Sequence, residues 1–389
     1  MQEFFSRVTI KEILNFIFDT YYMIPDTIYL NALNKIEGLG CKKLKQLMNF
    51  FDSPEKAWQA DLATLVKSGI GESVAEKIVA QRPNINPNEE WAKLEKENIS
   101  MFCIKDENYP ALLKEIPDSP YIIYMKGNLD CIKLPLVAIV GSRKLTNYGS
   151  MVARGFAKEL AKNGVCIVSG LAFGIDAAAH RGALDAKGKT IAVLGNSLDA
   201  ESIYPRTNFQ LSQEILNSDG LLVSEFPIKT SPSNWTFPSR NRIMAGMSLG
   251  TLVVEAAMES GSLITANLAL DYNRDVYAVP GEIFSPQSEG TNSLIRSSRA
   301  KLVTSAADIL EELKIESTEK YVAKPSEEQL SSLSDEEKKV YSVLSHEALH
   351  VDRIIKLTKL ETSAISSTLS MLEIKGVVKN VGGQNYIKI

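Results

Sequence analysis

The sequence predicts an α/β protein with a doubly wound parallel sheet at its centre, preceded by a helical domain and followed by a winged-helix domain. Three observations lead to this prediction. Residues 135–313 alternate short apolar runs with segments of helical period, residues 25–82 contain two similar helix–turn–helix units, and residues 335–389 combine three helical segments with a glycine-turn hairpin. Alternating strands and helices are typical of parallel sheets, and three helices before a hairpin are typical of winged helices.

The composition is that of a globular protein large enough for several domains. The chain has 389 residues, of which 44% are hydrophobic and 23% are charged, and its formal net charge is −4. No apolar run reaches the roughly 20 residues that a membrane-spanning helix needs, so we expect a cytoplasmic protein without a membrane anchor. Because the net charge is negative, nucleic-acid binding would depend on a local basic patch or on backbone N–H groups.

Cysteine and histidine are too few and too scattered for a metal centre. The four cysteines include no C-x-x-C pair, and the chain has only three histidines. His346 and His350 lie four residues apart and can share a helix face, but no third ligand accompanies them. We therefore expect no metal, and the cysteine spacing agrees with a reducing compartment.

A predicted N-terminal extension covers residues 1–24, and the helical domain covers residues 25–82. Two turns, Gly38-Leu39-Gly40 and Gly69-Ile70-Gly71, each lie between helical segments of this domain. They resemble the helix-hairpin-helix modules of DNA-binding proteins, in which the helix after the turn presents its N-terminus to a phosphate. A helix-packing module that contacts other proteins remains the second interpretation.

A proline-rich connector over residues 83–134 leads into the core over residues 135–313. The core contains six short runs rich in β-branched residues, as expected for strands that are buried on both faces. Helical segments separate most of the runs, which predicts parallel pairing. The predicted strands are Leu136–Val140, Cys166–Val168, Thr190–Leu194, Leu221–Ser224, Thr251–Val254 and Val276–Val279.

A polar linker is predicted over residues 314–334, and the winged-helix domain over residues 335–389. The third helix of that domain, residues 363–375, takes the place of a recognition helix, and Gly382-Gly383 closes the hairpin. The helix carries serine and threonine near its start and no arginine. Contact with DNA and contact with a protein therefore both remain open for this domain.

Glycine and serine are concentrated where the predicted strands end. The first strand runs into Gly141-Ser142-Arg143, and the second runs into Ser169-Gly170 and on to Phe173-Gly174. The carboxyl ends of parallel strands meet at the edge where open α/β sheets bind ligands, and small residues there leave backbone N–H groups for an anion. The chain has neither the G-x-G-x-x-G turn nor a Walker motif, so no cofactor is predicted.

Arginines accompany this edge. Arg143 follows the first strand, and the segment Phe237–Gly246 contains Arg240, Asn241 and Arg242. A lone arginine commonly forms a surface salt bridge, but several around one glycine- and serine-rich edge favour a polyanion. The aromatic residues at positions 173, 204, 235 and 237 either stack on bases or belong to the core.

Asp176 and His180 lie four residues apart after the second strand, on one face of a predicted helix. A carboxylate in the first turn of a helix acts as a cap, which favours a structural role in orienting the loop. General acid–base catalysis is the alternative. No nucleophile or metal-ligand set accompanies the pair, so we predict the orienting role and no catalytic residue.

Six segments in order resemble the DNA-processing protein A family, also called DprA or Smf. The resemblance is strong over residues 135–310, and the flanking helical and winged-helix domains fit the three-part layout of that family. The segments are V-A-I-V-G-S-R (137–143), S-G-L-A-F-G-I-D-A-A-A-H (169–180), F-P-S-R-N-R-I-M-A-G-M-S (237–248), V-V-E-A (253–256), S-G-S-L-I-T-A (260–266) and V-Y-A-V-P-G (276–281).

The resemblance implies a single-stranded DNA-binding protein without catalytic activity. Members of the family bind the strand at a pocket of the Rossmann-like domain and protect incoming DNA during natural transformation. They load RecA recombinase onto the strand, displace single-strand binding protein, and pair as homodimers through the Rossmann-like domains. The resemblance also implies that Arg240 and Arg242, in the third segment, belong to a basic track along which the strand binds. By motif, the DNA-binding residues are Gly141, Ser142, Arg143, Ser169, Gly170, Phe173, Gly174, Arg240, Asn241 and Arg242.

A nucleotide-processing enzyme is the alternative. The segment Ser248–Glu255 loosely resembles the G-x-G-T-x-x-E pattern of phosphoribohydrolases, which cleave nucleoside monophosphates on a related sheet. In that interpretation Glu255 and an arginine such as Arg242 are catalytic. Ala245-Gly246-Met247 stands where those enzymes have Pro-Gly-Gly, which favours the binding protein.

Overall fold

The computed structural model describes residues 26–233, 235–315, 333–345, 347–375 and 377–388. The predicted extension over residues 1–24, most of the predicted linker and His346 lie outside the described residues. The chain divides into two compact units, Met1–Thr318 and Glu319–Ile389. Within the described residues, no helix is long and apolar enough to span a bilayer, and no cluster of histidine, cysteine and acidic residues is placed to hold a metal ion.

The described part of the first unit is built on a nine-stranded sheet in the order β1-β2-β6-β5-β4-β3-β7-β8-β9. Strands β3 to β9 pair in parallel, whereas β2 pairs antiparallel with both β1 and β6. The strand order reverses at β3, as in doubly wound folds, and the predicted fold class is confirmed. The strands are β1 Ser100–Cys103, β2 Ile122–Gly127, β3 Leu136–Val140, β4 Cys166–Ser169, β5 Thr190–Val193, β6 Leu221–Ser224, β7 Gly250–Val253, β8 Asp275–Ala278 and β9 Lys301–Leu302.

The N-terminal helices pack against the antiparallel end of this sheet. They are α1 over residues 26–34, α2 Cys41–Phe50, α3 Pro54–Gln59, α4 Leu62–Lys67, α5 Glu72–Gln81 and α6 Pro87–Lys96. Gly38 and Gly69 form the two hairpin turns with φ values of 87° and 83°, a conformation that favours glycine. The helices share an apolar core with β2 and β6, and Tyr124 of β2 donates a hydrogen bond of 2.8 Å to Asn31 of α1.

Helices cover both faces of the parallel strands. They are α7 Ala111–Lys114, α8 Asn147–Lys162, α9 Ile175–Asp185, α10 Phe209–Asn217, α11 Thr236–Met247, α12 Gly261–Asp271, α13 Glu289–Arg296 and α14 Ala306–Glu312. Successive side chains of a strand point to opposite faces. Ala138 of β3 accordingly packs in one core with α11 and α12, and its neighbour Ile139 packs in another core with α8 and α9. The strands β3 to β7 are buried along their whole length, which explains why they are mainly apolar runs.

The second unit is a winged helix. It contains α15 Asp335–Val343, α16 Val351–Thr358 and α17 Thr362–Ile374, with a three-stranded sheet of β10 Leu349–His350, β11 Val378–Gly382 and β12 Asn385–Lys388. Gly382 and Gly383 turn the β11–β12 hairpin with positive φ values. In α17, the hydroxyls of Ser367 and Ser370 donate to carbonyl groups one turn earlier. The Nδ1 atom of His350 accepts a hydrogen bond from the first turn of α16.

Candidate functional site

A cavity of about 530 Å³ opens where the parallel strands end. Five segments line this carboxyl-edge cavity: residues 140–144 at the end of β3, Ala172 and Asp176 around the start of α9, residues of α11, residues between β7 and the middle of α12, and Gln287 between β8 and α13. This is the edge at which open α/β sheets bind ligands. The volume falls within the roughly 300 to 1,000 Å³ of small-molecule pockets, so a nucleotide-sized group fits.

The loop after β3 is held rigidly at its base. The backbone N–H of Ser142 donates to the carbonyl of Glu255 at 2.7 Å, and the N–H of Ile175 donates to the carbonyl of Ser142 at 3.1 Å. Gly174 has a φ of 80°, and a Cβ atom there would collide with the carbonyl oxygens of Ser142 and Arg143. Glycine is therefore required at position 174 for the loops after β3 and β4 to meet.

Two cations lie on this loop at the cavity. Arg143 and Lys144 are exposed, line the cavity and form no ion pair within the described residues. The guanidinium of Arg143 lies 4.9 Å from the centroid of the Phe237 ring, a cation–π contact that fixes its direction. The lining also contains two acidic side chains, of which Asp176 is buried and Glu259 is exposed.

Aromatic side chains surround the same edge. Phe173, Tyr204 and Trp235 are 43%, 44% and 64% exposed, so they belong to the surface and leave ring faces open. Phe237 lines the cavity, and its ring centroid lies 6.2 Å from that of Tyr204. Trp235 packs edge-on against Phe226 at 5.5 Å. The exposure of Phe173, Tyr204 and Trp235 argues against the interpretation in which they belong to the core, and base stacking by these rings stays a prediction.

Arg240 lines the cavity but is only 4% exposed. Its Nη1 donates to the carbonyls of Gly170 at 2.5 Å and Val193 at 2.9 Å, and it lies 4.0 Å from the carboxylate of Asp176. A Cβ atom at Gly170 would overlap the guanidinium, so glycine is needed there for the close approach. Arg240 therefore ties the ends of β4 and β5 together from below the cavity.

Asp176 holds the loop after β4. Its Oδ2 accepts hydrogen bonds from the backbone N–H groups of Gly170 at 3.1 Å and Ala172 at 3.4 Å. Burial raises the pKa of the Asp176 carboxyl above its usual range, and the charge of Arg240 opposes that shift. The carboxylate lines the cavity, but its hydrogen bonds go to the loop that it braces.

His180 lies beneath the cavity and does not line it. Its Nε2 accepts a hydrogen bond from the N–H of Leu171 at 3.3 Å, so the proton resides on Nδ1, which bonds to the Thr190 hydroxyl at 2.7 Å. That hydroxyl in turn donates to the carbonyl of Ile167. Burial, together with nearby arginines, lowers the pKa of His180 to about 3, and the ring is neutral.

Arg242 lies away from the carboxyl-edge cavity. Its guanidinium is buried against Glu225, with Asp118 at 3.9 Å and the Cys41 sulfur also at 3.9 Å. We expected Arg240 and Arg242 to extend a basic track, but both guanidiniums are buried, Arg240 against two carbonyls and Asp176, and Arg242 against Glu225. The reason is that α11 packs against the sheet along much of its length, which turns both side chains inward.

Two further predicted residues also make internal contacts. The hydroxyl of Ser169 is fully buried and donates to the carbonyl of Ile139 at 2.6 Å, so it joins neighbouring strands and does not reach the cavity. Asn241 lines the cavity, and its amide donates to the carbonyl of Gly261 at 3.4 Å. Of the predicted DNA-binding residues, the cavity brings together Gly141, Ser142, Arg143, Arg240 and Asn241.

Sequence reasoning missed several residues of the cavity. Lys144 follows the predicted Gly141-Ser142-Arg143 segment directly, and an extension by one residue would have found it. Gln287 lies between β8 and α13, and its buried Oε1 has no partner in the described part of the chain. No local pattern marks that glutamine. The remaining hydroxyl residues of the lining are Ser260, Ser262 and Thr265.

The position of Glu255 tests the phosphoribohydrolase alternative, in which Glu255 and Arg242 are catalytic. Its carboxylate accepts hydrogen bonds from the backbone N–H of Thr146 at 3.0 Å and from the Thr146 hydroxyl at 2.5 Å. The side chain is buried beneath the start of α8 and does not line the carboxyl-edge cavity. Glu255 and Arg242 therefore do not face a common cavity, as a catalytic pair would.

Comparison with known proteins decides the family. A family model described as "DNA recombination-mediator protein A" matches residues 100–314, just over half of the chain, and a model described as "DprA winged helix domain" matches residues 324–384. The chain belongs to the DNA recombination-mediator protein A family. The resemblance in its six segments is thereby confirmed, and the chain is a member of a family of DNA-processing proteins.

Relatives of the DprA family cover most of the chain. "Protein Smf" of Synechocystis sp. is 35% identical over 92% of this chain and 98% of its own length. The crystal structure of DNA processing protein A from Streptococcus pneumoniae is 38% identical, covers 73% of this chain and 97% of that chain, and gives a TM-score of 0.64. DNA processing protein A from Helicobacter pylori, whose structure concerns a single-stranded DNA binding mode, is 33% identical, covers 56% of this chain and 95% of that chain, and gives a TM-score of 0.50.

Proposed function

We propose that this protein binds single-stranded DNA at the carboxyl-edge cavity and acts as a recombination mediator. In this role it protects incoming strands during natural transformation, displaces single-strand binding protein and loads RecA recombinase. Arg143 supports the proposal most directly, because it is an exposed guanidinium at the cavity with no ion pair in the described part of the chain. Family membership supports it independently, as does the similarity to a Helicobacter pylori relative whose structure concerns single-stranded DNA binding.

The chemistry of the cavity suits a strand of any sequence. Arg143 and Lys144 provide charge for phosphates, which carry no sequence information. Exposed aromatic rings stack on unpaired bases, whose faces a duplex conceals. Because the whole chain carries a net charge of −4, this local pair of cations is what attracts a polyanion.

We infer that the protein is a binding protein and not an enzyme. The support is that both candidate catalytic groups make internal contacts, since Glu255 accepts hydrogen bonds from Thr146, the N-cap residue of α8, and Arg242 pairs with Glu225. Incubation with nucleoside monophosphates is expected to release no free base. Release of base at a rate that depends on Glu255 would instead establish the phosphoribohydrolase alternative.

Homodimerisation through the first unit completes the proposal. Strand β9 ends the described sheet, and Leu302 on it is 47% exposed. An unpaired strand edge with an apolar side chain is a natural surface for a second copy. Light scattering of the full chain is expected to give the mass of a dimer, and Leu302→Glu is expected to shift that mass toward the monomer.

A salt titration tests the DNA-binding proposal. Binding of labelled oligothymidylate and of a duplex is measured by fluorescence anisotropy for the wild type, Arg143→Ala and Arg181→Ala. Arg181 is an exposed arginine of α9 outside the cavity and serves as the matched control. Loss of a charge-assisted phosphate contact is expected to weaken single-strand binding about tenfold or more in Arg143→Ala and to reduce the salt dependence. Equal duplex binding, or equal affinity of the two variants, would contradict the proposal.

A further inference from the structure

A second cavity of about 360 Å³ lies near the ends of β5 and β6. We call it the Tyr204 cavity. It is formed by the loop after β5 and the loop after β6, at the same carboxyl edge of the sheet as the first cavity. Its lining residues are Asp199, Glu201, Ser202, Ile203, Tyr204, Arg206, Lys229, Ser231 and Pro232.

Two aromatic rings join the cavities. Phe237 lines the carboxyl-edge cavity and Tyr204 lines the Tyr204 cavity, with 6.2 Å between the ring centroids. The guanidinium of Arg143 also lies close to Phe237, 4.9 Å from the centroid of its ring. A path from Arg143 over Phe237 and Tyr204 therefore leads from one cavity to the other.

The Tyr204 cavity offers two cations. The guanidinium of Arg206 is held by a hydrogen bond of 2.6 Å from its Nη1 to the carbonyl of Ala200 and by the Phe209 ring at 4.5 Å. It forms no ion pair within the described residues, and neither does the exposed ammonium of Lys229. Held in place and unpaired, Arg206 keeps N–H groups available for an anion.

Within the described residues, neither acidic residue of this cavity forms an ion pair with those cations. The carboxylate of Asp199 accepts hydrogen bonds from the hydroxyls of Ser197 at 2.6 Å and Ser202 at 2.7 Å, and from the backbone N–H of Lys229 at 3.0 Å. Asp199 thus braces the two loops from inside. Glu201 is the other acid of the lining, and it is exposed to solvent.

We propose that the Tyr204 cavity is a second nucleotide subsite for the same single strand that occupies the carboxyl-edge cavity. The strand crosses Phe237 and Tyr204 with a base stacked on this ring pair, and its next phosphate binds Arg206 and Lys229. Contacts to ring faces and phosphates are independent of base sequence. The inference rests on the proposed function, because it extends the binding site described there.

The test measures affinity against strand length. Anisotropy is recorded for oligothymidylates that grow one nucleotide at a time, with the wild type, Tyr204→Ala and Lys229→Ala. The wild type is expected to gain affinity in a first step when the carboxyl-edge cavity fills and in a second step when the strand reaches the Tyr204 cavity. Tyr204→Ala is expected to lose the second step, which lowers affinity for long strands about tenfold, as for one stacked base. Binding of the shortest strands stays as in the wild type.

Two controls and the second test variant separate the possible failures. Tyr148→Ala removes a tyrosine of similar exposure, 46% against 44%, outside both cavities, and retains both steps. Tyr204→Phe keeps the ring and retains both steps. Lys229→Ala loses part of the second step, while its backbone bond to Asp199 remains.

The outcomes distinguish this inference from the proposed function. If Tyr204→Ala and Lys229→Ala show the wild-type length dependence while Arg143→Ala weakens binding at every length, the second subsite is wrong and the proposed function stands. If Arg143→Ala has no effect at any length, the proposed function fails, and the second subsite fails with it.

Discussion

The loop after β3 and helix α11 border the same cavity, and each contributes an arginine. The two guanidiniums differ in their surroundings, because one is exposed and the other is buried. Arg143 extends from a loop, meets no carboxylate and lies over an aromatic ring. Arg240 extends from a packed helix, and its guanidinium already contacts two backbone carbonyls and the carboxylate of Asp176. The comparison shows that the number of arginines at a sheet edge does not measure the charge offered to a ligand. What counts is how many acceptors the fold places within reach of each guanidinium.

The largest effect is expected from Arg240→Ala. Removal of this guanidinium leaves the Asp176 carboxylate buried without its cation and the Gly170 and Val193 carbonyls without their donor. Breaking a buried pair costs about 3–5 kcal/mol, so the free energy of unfolding falls by that amount. Denaturant unfolding followed by tryptophan fluorescence measures it, because all three tryptophans, at positions 58, 91 and 235, belong to the first unit.

Arg143→Ala is the matched variant for this comparison. An exposed side chain without a partner contributes little to stability, so its free energy of unfolding stays within about 0.5 kcal/mol of the wild type. If Arg240→Ala is as stable as Arg143→Ala but no longer binds the oligonucleotide, Arg240 contacts the ligand directly, and the distinction between the two arginines is wrong.

A smaller effect on stability, with a clear effect on binding, is expected from Gly174→Ala. The positive φ and the collision with the carbonyls of Ser142 and Arg143 cost about 1–3 kcal/mol and displace the loop that carries Arg143. Stability and oligothymidylate affinity are measured together. Gly155→Ala is the control, because a Cβ atom there meets nothing within 4 Å on α8, and alanine in a helix is expected to stabilise slightly. Unchanged binding by Gly174→Ala would show that Arg143 does not need this loop geometry.

The last effect is a dependence of stability on pH through His180, which is absent near neutral pH and grows only as the pH falls. Its pKa is lowered from 6.5 to about 3 in the folded protein, so the unfolded state takes up a proton first as the pH falls. The contribution of His180 to the free energy of unfolding is therefore fully present above about pH 6.5. It is lost as the pH falls toward 3, by up to about 1.4 kcal/mol for each pH unit.

The variant His180→Asn isolates this contribution. It is expected to be less stable at neutral pH, because the bonds to Leu171 and Thr190 are altered, and to show a flatter acid dependence. His350→Asn changes an exposed histidine of the second unit and is expected to leave the acid dependence of the first unit unchanged. An equal slope for His180→Asn and the wild type would mean that His180 is not neutral and buried as described.

Much of the fold was predictable because its signals are local. A strand buried on both faces must be an apolar run, so the six predicted core strands agree with the observed bounds to within about one residue. Strand β9, Lys301–Leu302, was missed because two residues carry no periodicity. The pairing of β2 with β6 was not predictable either, since it joins segments of the chain that lie far apart.

The site was predictable only in part, for a related reason. Glycine at positions 141, 170 and 174 is visible in the sequence and marks where strands end. The burial of Arg240 depends on carbonyl groups that are 70 and 47 residues away along the chain, which no local pattern reveals. The same holds for Gln287, which reaches the cavity from a loop with no recognisable motif.

The contacts of Arg240 have a consequence for the speed of binding. They join the ends of β4 and β5 beneath the cavity, and Asp176 and His180 secure the loop above them. The floor of the site is thus already ordered in the free protein. A ligand therefore does not have to offset the entropic cost of ordering these loops when it binds. Association is therefore expected to be governed by electrostatic encounter at Arg143 and Lys144, with a rate that falls with added salt and shows no slow conformational phase.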